Sequence, residues 1–504
     1  MNKRRVWHKI KRSQIPSDRR WCVKSKWVFK IKRNGVYRAR LVACGYSQIP
    51  GVDFSENYLP VVNDITYRLL IIAMIIFHLS AKIVDVETAF LYGDLDEKIF
   101  MECPPGMSEV YAGQENISSD DVLELGKCIY GLVQAARQYF KKAVATLKKI
   151  GFEGGEVDPC LMVLKTRKGI CYIALYVDDN LLVGTPEAID EVIAALKGEG
   201  LILKIEDDLH DYLSCEIVFS SDRSKAWLGQ PHLISNLESK FGPRVMDLRT
   251  YKTAGTPGFR TIRPSDDTEK ISNSDQSLYC SGVGMLLYLV KHSRPDIANA
   301  TRELSKVLDG ATPSSFKEMH RVIKYVLDTK TKGLKIEPSV KKDEPWKLVL
   351  FCNSDYAGDP ESRRSVSGYI LYVCDVPVCW RSKAQRSVTL SSTEAEYVAL
   401  SEAVKEILFV LQILECMRIT VTLPVIVRVD NVGAIFMSKN VTTTSRTKHV
   451  DVRYKYVNEY VEDGVIKILF VKSEDNEADG MTKNLGGEQY EKHNARMICD
   501  RPSF

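Results

Sequence analysis

Acidic residues that break apolar, strand-forming runs constrain this chain more than any other feature. The segment AKIVDVETAFLYGDL (residues 81–95) sets Asp85 among Ile83, Val84 and Val86, residue types that suit a buried strand. A carboxylate there is costly unless it is paired or metal-bound. A second segment, CYIALYVDDNLLVGT (171–185), holds Asp178 and Asp179 between two apolar runs. Ile173, Ala174, Leu175 and Val177 are expected to form one strand, Leu181, Leu182 and Val183 the other, with Asp-Asp-Asn as a tight turn. In isolation that turn reads as solvated. Paired with the Asp85 strand, it becomes part of a three-carboxylate cluster that a single proton cannot settle. Two Mg²⁺ ions about 3.5–4 Å apart would neutralise it; Mn²⁺ suits the same oxygen-only ligands.

The rest of the composition bounds the setting. At 504 residues, 45% hydrophobic and 27% charged, the chain is long enough for two to four globular domains. Net charge is +5, but the first forty residues carry fifteen Lys/Arg and one acid, Asp18. Such an arm suits a polyanion such as nucleic acid, or is a solvated terminus. The 13 cysteines contain no C-x-x-C pair, which argues for a reducing compartment, cytosolic or nuclear, without zinc or disulfide scaffolding. The most apolar run, LLIIAMIIF (69–77), is too short to span a bilayer and is expected to be a buried helix. Breaks rich in Gly, Pro, Ser and Thr at 252–275 and near 337–345 divide the chain. They predict a basic arm at 1–25, a first domain at 26–200, a mostly helical middle at 201–345 and a C-terminal domain at 346–504.

VDVETAFLYGDL, IYGLVQAARQYF and LYVDD, in that order and preceded by residues 26–62, resemble the reverse transcriptase of copia-type (pseudovirid) LTR retrotransposons. The resemblance runs over nearly the whole chain from Lys26. It implies an α+β and α/β multidomain architecture: a right-hand polymerase of fingers, palm and thumb, then a connection and a ribonuclease H-like α/β domain. It assigns Asp85, Asp178 and Asp179 to the metal-binding catalytic triad of the palm. Phe90, five residues after Asp85, becomes the steric gate that excludes a ribose 2′-hydroxyl, or else a core aromatic. Lys30 or Lys32, with Arg38 or Arg40, are implied to grip the triphosphate from one face of a hairpin whose turn is Asn34-Gly35. Gln134 matches the family residue near the incoming nucleotide, and Tyr130 and Arg137 match the template path.

The C-terminal region has its own acids. LVLFCNSDYAGD runs into Asp355, PVIVRVDNVGAI into Asp430, and KILFVKSEDNEADGMTK into an acidic loop with Asp479. Between them SSTEAEYVALSEAVKEILFVLQIL reads as a long amphipathic helix with a capping start. Its resemblance to ribonuclease H implies a second two-metal centre of Asp355, Glu396, Asp430 and Asp479, with Glu394 as the alternative to Glu396. Implied partners are an RNA template, a DNA primer, RNA–DNA hybrid and dNTPs, with no membrane; the implied setting is cytoplasmic element particles and the nucleus. The chain departs from the family pattern at Cys44, Ala136, Tyr139, Ser214 (a Gly in the family) and Lys455. No integrase triad, protease D-[ST]-G or zinc knuckle is evident, so the chain is expected to be the C-terminal part of a polyprotein. The rival expectation is a degenerate fragment that only binds nucleic acid, and a third is ribonuclease H activity alone.

Overall fold

The computed structural model describes residues 5–17, 21–31, 35–107, 118, 120–177, 179–266, 269–437 and 448–502. The chain divides into two units, one drawn from 1–63 and 80–208, the other from 64–79 and 209–504.

The first unit is organised by a six-stranded antiparallel sheet in the order Leu203–Asp207, Ser80–Val86, Asp179–Gly184, Gly169–Ala174, Leu161–Thr166 and Glu153–Gly154. Leu181, Leu182 and Val183 are fully buried in its middle. The helix Pro186–Gly198 covers the central strands with Ala188, Ile189, Val192 and Ile193, apolar at helical spacing. The expected Asp-Asp-Asn turn is corrected in one respect: Asp179 and Asn180 lie within a strand, because that strand runs past its hairpin partner and continues along the Asp85 strand. After Ala174 the chain leaves the strand through residues 175–177, with Val177 at φ +37°.

A second correction concerns the N-terminus. Trp7–Lys11 is a strand paired with Asp121–Lys127, which in turn pairs with Asp94–Glu102. Val6 and Val23 are core residues at 0% and 1% exposure, so the basic segment is folded into the unit by its apolar side chains. Lys11 is also held by Asp121 at 2.7 Å. Ser25–Ile31 and Tyr37–Ala43 form the expected two-stranded hairpin, with Gly35 at φ +78° as its turn requires; positions 32–34, and with them Lys32 and Asn34, lie outside the described residues.

The second unit contains two five-stranded sheets and the helices between them. One sheet follows the order Asp211–Tyr212, Cys215–Phe219, Ala226–Gly229, Lys332–Ile336, Ile498–Asp500. Its last strand is the C-terminus of the chain, which therefore returns to the middle region. That is why no boundary appears near residue 346, as the sequence breaks had suggested. The helices Pro231–Val245, Asn273–His292, Ala298–Ser305 and Pro313–Asp328 share one core with Leu485 and Tyr490 from the C-terminal end. The other sheet follows the order Val376–Ala384, Val366–Val373, Leu348–Asp355, Val425–Val429, Ile466–Phe470; the first three strands are antiparallel and the last two parallel to the central one. The 25-residue helix Ser392–Cys416 packs across it.

The run 69–77 falls in the helix Asp64–Phe77, whose residues 65–76 are all buried. Arg68 fixes it in the second unit, donating to the carbonyls of Val378 at 2.8 Å and Lys291 at 2.6 Å and stacking 4.1 Å from Trp380. Among the described residues no helix is long and apolar enough to cross a membrane. All 13 cysteines are free thiols.

The hairpin Asp211–Tyr212/Cys215–Phe219 turns through Leu213 and Ser214, both left-handed at φ +53° and +64°. Such two-residue turns favour glycine, because a Cβ crowds the backbone there. Ser214→Gly is therefore expected to stabilise this unit by about 1 kcal/mol. Chemical denaturation checks it, and an unchanged or lower midpoint would refute the strain assigned to this turn.

Candidate active sites

The first centre is set by strand register. Asp179 is the direct partner of Asp85 across one antiparallel pair, and Lys204 is the partner of Asp85 across the other. Directly opposed side chains share a face with Cβ atoms roughly 4.5–5.5 Å apart. The row Asp179–Asp85–Lys204 therefore crosses three strands at an open face, Asp85 half-buried and the outer two exposed. Partial withdrawal from water, then the charges of Asp85 and Glu206, raise the Asp179 carboxyl above its ordinary value. Lys204 opposes that shift while paired with Glu206 at 2.5 Å. Beneath the row, buried Asn180 donates to the Val84 carbonyl at 3.3 Å and ties the two acid-bearing strands. Asp178 lies outside the described residues. Sequence reasoning missed Lys204; the alternation Leu203, Lys204, Ile205, Glu206 was its only signal.

Three sequence-predicted residues form a chain of contacts in the same unit. After Thr88, left-handed at φ +55°, the short helix Ala89–Tyr92 carries Phe90. The Phe90 ring lies 4.7 Å from Tyr130, and the Arg40 guanidinium lies 4.6 Å from the other ring's centroid, that of Tyr130. Arg40 keeps a buried Nε without a hydrogen-bond partner. On the hairpin, Lys30 opposes Arg38 and Val28 opposes Arg40, so Lys30, Arg38 and Arg40 share one face. The other face carries Trp27 stacked 6.4 Å from Phe29, with Phe29 and Tyr37 exposed at 75% and 84%. Gln134 is not presented to an open surface. It is buried, its amide donates to the Asp53 carbonyl at 2.8 Å, and its oxygen accepts from Gln48 at 3.0 Å. In this structure it anchors the loop that carries Gln48 and Asp53. Arg137 is ion-paired with Glu56.

The second centre lies at one end of the mixed sheet. Asp355 ends the central strand, Asp430 follows its parallel neighbour, Asp479 opens the short helix Asp479–Thr482, and Glu396 lies in the first turns of the long helix. Glu394 takes the capping role: Ser391 Oγ accepts from its backbone N–H at 3.1 Å, and its carboxylate accepts from the Leu390 N–H at 2.7 Å. Glu396 instead points inward. It is 5% exposed, and its Oε1 accepts from the Ser354 N–H at 2.8 Å while its Oε2 is buried without a partner. Burial, then the Asp430 and Asp479 carboxylates, push the Glu396 carboxyl well above its ordinary range. Asp479, expected in an acidic loop as one of the four acids, is 2% exposed. It accepts from Asn353, pairs with Lys483 at 3.0 Å and receives Gln489 at 3.3 Å; burial raises its carboxyl too. Two glycines permit this packing. A Cβ on Gly368 would meet Thr482 Cγ2 at 2.6 Å, and one on Gly358 would meet Asp355 Oδ2 at 2.0 Å.

Among the described residues, no three acids, histidines or cysteines converge tightly enough to hold a metal ion. In the second centre two of the carboxylates are engaged by bases of the chain, Asp479 by Lys483 and Asp355 by Arg260 at 2.5 Å. The donor chemistry still fits a hard divalent cation, because all four donors are carboxylates and Glu396 Oε2 is an orphaned, buried oxygen. In the first centre, Asp85 and Asp179 offer adjacent carboxylates of the same kind.

Residues 5–242 match the family model described as reverse transcriptase (RNA-dependent DNA polymerase). The retrovirus-related Pol polyprotein from transposon TNT 1-94 of Nicotiana tabacum is 32% identical over 492 residues, 95% of this chain and 36% of that protein. The corresponding polyprotein from transposon RE1 of Arabidopsis thaliana is 30% identical over 94% of this chain and 32% of its own length. This chain thus spans about a third of those relatives. A putative transposon Ty5-1 protein of Saccharomyces cerevisiae is 31% identical over 327 residues, 64% of this chain and 100% of the relative. A foamy viral protease-reverse transcriptase solved in complex with dsDNA aligns over 92% of this chain at TM-score 0.48 and 12% identity, covering 79% of that structure.

The raised carboxyl of Glu396 has a consequence for stability. Its folded form binds the proton more tightly than the unfolded chain, so stability falls as pH rises from the ordinary glutamate value towards the raised one. In chelator-containing buffer, Glu396→Gln is expected to melt higher than the native chain at pH 8, with the difference shrinking towards pH 5. A lower melting temperature for the variant at pH 8 would overturn the placement of this carboxylate.

Proposed function

The chain belongs to the copia-type transposon Pol family, in its reverse transcriptase region, and from that footing we propose that it is an RNA- and DNA-templated DNA polymerase with a second, ribonuclease H-type centre acting on RNA–DNA hybrids. The register that sets Asp179 opposite Asp85 carries the proposal, since it holds two like charges side by side at an open face, with Lys204 beside Asp85, where a bound divalent cation would offset them further.

Asp85 and Asp179, with Asp178, would hold the cations of the polymerase centre; Asp355, Glu396, Asp430 and Asp479 would hold those of the second. Bound divalent cations, Mg²⁺ by availability, supply activation of the attacking oxygen and neutralisation of charge on the reacting phosphate. The remaining roles belong to side chains. Lys30, Arg38 and Arg40 offer a cationic face to a triphosphate, and the unpartnered Arg40 Nε supports that role. Phe90, buttressed by Tyr130, is stiff enough to reject a 2′-hydroxyl by contact. The exposed Trp27, Phe29 and Tyr37 face suits stacking of unpaired template bases. A hybrid's phosphates would be gripped by the basic surface largely without sequence reading. Copying RNA leaves a hybrid whose RNA must be removed before a second DNA strand is made, and the second centre supplies that step.

The two centres are expected to fail independently. On poly(rA)/oligo(dT) with Mg²⁺, Asp85→Asn or Asp179→Asn should lower primer extension by about two to three orders of magnitude while hybrid cleavage persists. Asp355→Asn and Glu396→Gln should do the reverse. Extension that survives the double variant Asp85→Asn/Asp179→Asn would sink the polymerase assignment, and cleavage that survives Asp355→Asn would sink the second centre.

A further inference from the structure

Asp355 is gripped by an arginine that reaches it from outside the sheet. One edge of the Arg260 guanidinium serves two acceptors: Nη2 donates to Asp355 Oδ2 at 2.5 Å and Nε to the Gly358 carbonyl at 3.1 Å. Its Nη1 faces Glu303 at 3.9 Å. The segment that bears it is tied on both sides. Thr256 donates to Glu318 from its N–H at 2.6 Å and its hydroxyl at 2.8 Å; the Thr261 N–H donates to Glu303 at 3.2 Å; and Arg263 pairs with Asp309 at 2.8 Å. A guanidinium held on such a short leash acts at high effective concentration. Its side chain is still 21% exposed, so the torsions of the arginine alone give it a way off the carboxylate.

We propose that Arg260 is a built-in competitor for the divalent cation at Asp355, so that metal loads only as the guanidinium releases that carboxylate. The inference rests on reading the four acids as a ribonuclease H-type centre. A structural tether alone does not explain the arrangement. Arg260 satisfies Asp355 at one edge of the centre and leaves the buried Glu396 Oε2 unpartnered, so a donor oxygen remains there for a cation to meet. A guanidinium donates N–H groups and has no vacant coordination position, so it cannot replace a metal in the chemistry. The pair is therefore an off-state that metal must break.

The test titrates Mn²⁺, followed by electron paramagnetic resonance, into the full chain carrying Asp85→Asn/Asp179→Asn to silence the first centre. In that background Arg260→Gln, which keeps a donor but loses the charge, is expected to bind Mn²⁺ about tenfold tighter than Arg260, and adding Asp355→Asn should erase the gain. Arg260→Lys, which keeps the charge but lacks the fork, should fall between, and it serves as the test if the glutamine variant does not fold. In the otherwise native chain, the Mg²⁺ concentration for half-maximal hybrid cleavage should drop in parallel. Unchanged or weaker Mn²⁺ binding in a folded Arg260→Gln protein overturns the competition while leaving the centre's assignment intact. Tighter, Asp355-dependent binding with no hybrid cleavage by any form upholds the competition and removes the ribonuclease reading instead.

Discussion

Like charges held together by strand register are the constraint on which the first unit turns. Asp85 and Asp179 repel, and that repulsion adds to partial burial in raising the Asp179 carboxyl, with Lys204 offsetting part of it. Against that stand Leu181, Leu182 and Val183, each fully buried and each worth about 1.5–3 kcal/mol. The core wins, and the acids go where the strand takes them. A slip of one residue would turn every side chain of the strand to the opposite face. The apolar residues that look incidental to the chemistry are thus what aligns it, and Asn180, bonded to the Val84 carbonyl, locks the same register from below.

The second unit reaches a similar end by topology. Placing Leu348–Asp355 beside a parallel strand brings Asp355 and Asp430 to the same end of the sheet, as only a crossover connection can. That crossover is the helix bearing Glu396. The Asp479 helix then closes over the end, at a distance set by the missing Cβ of Gly368. Each acid arrives from a different element, so no short stretch of sequence contains the centre.

That difference explains what could be read in advance. Apolar runs with a charge inside them, such as the Asp85 strand, announce themselves locally, as do the buried helix 64–77 and the hairpin from Ser25. Pairings between distant segments do not. Nothing in Ile498–Asp500 signals that it joins Lys332–Ile336, nor in Trp7–Lys11 that it joins Asp121–Lys127, because three to five residues of ordinary composition pair wherever tertiary packing delivers them. Gln134 shows the same limit at one residue: its place in the chain was legible, but its orientation depends on Gln48 and Asp53, more than eighty residues away. Arg260 was invisible for the same reason. It sits in a Gly- and Pro-containing stretch that reads as a linker, and only the fold brings it to Asp355.

The departures from the family pattern bear on whether such a chain still works. Tyr139, where the family has Trp, is buried against Val86 and Ala89, beneath the strand of Asp85 and the helix of Phe90. Cys44 is buried and fills a core position with a small apolar group. Ser214 strains a turn remote in sequence from the acids of both centres. These changes act on support, and a fold with a margin of roughly 5–15 kcal/mol absorbs costs of their size. The acids behave in the opposite way: Glu396, Asp479 and Asp179 all have carboxyls raised by their surroundings, so their charge opposes the fold that holds it. A chain freed from function would gain stability by shedding them. This one carries them in both centres, which supports the proposal that they serve a bound cation.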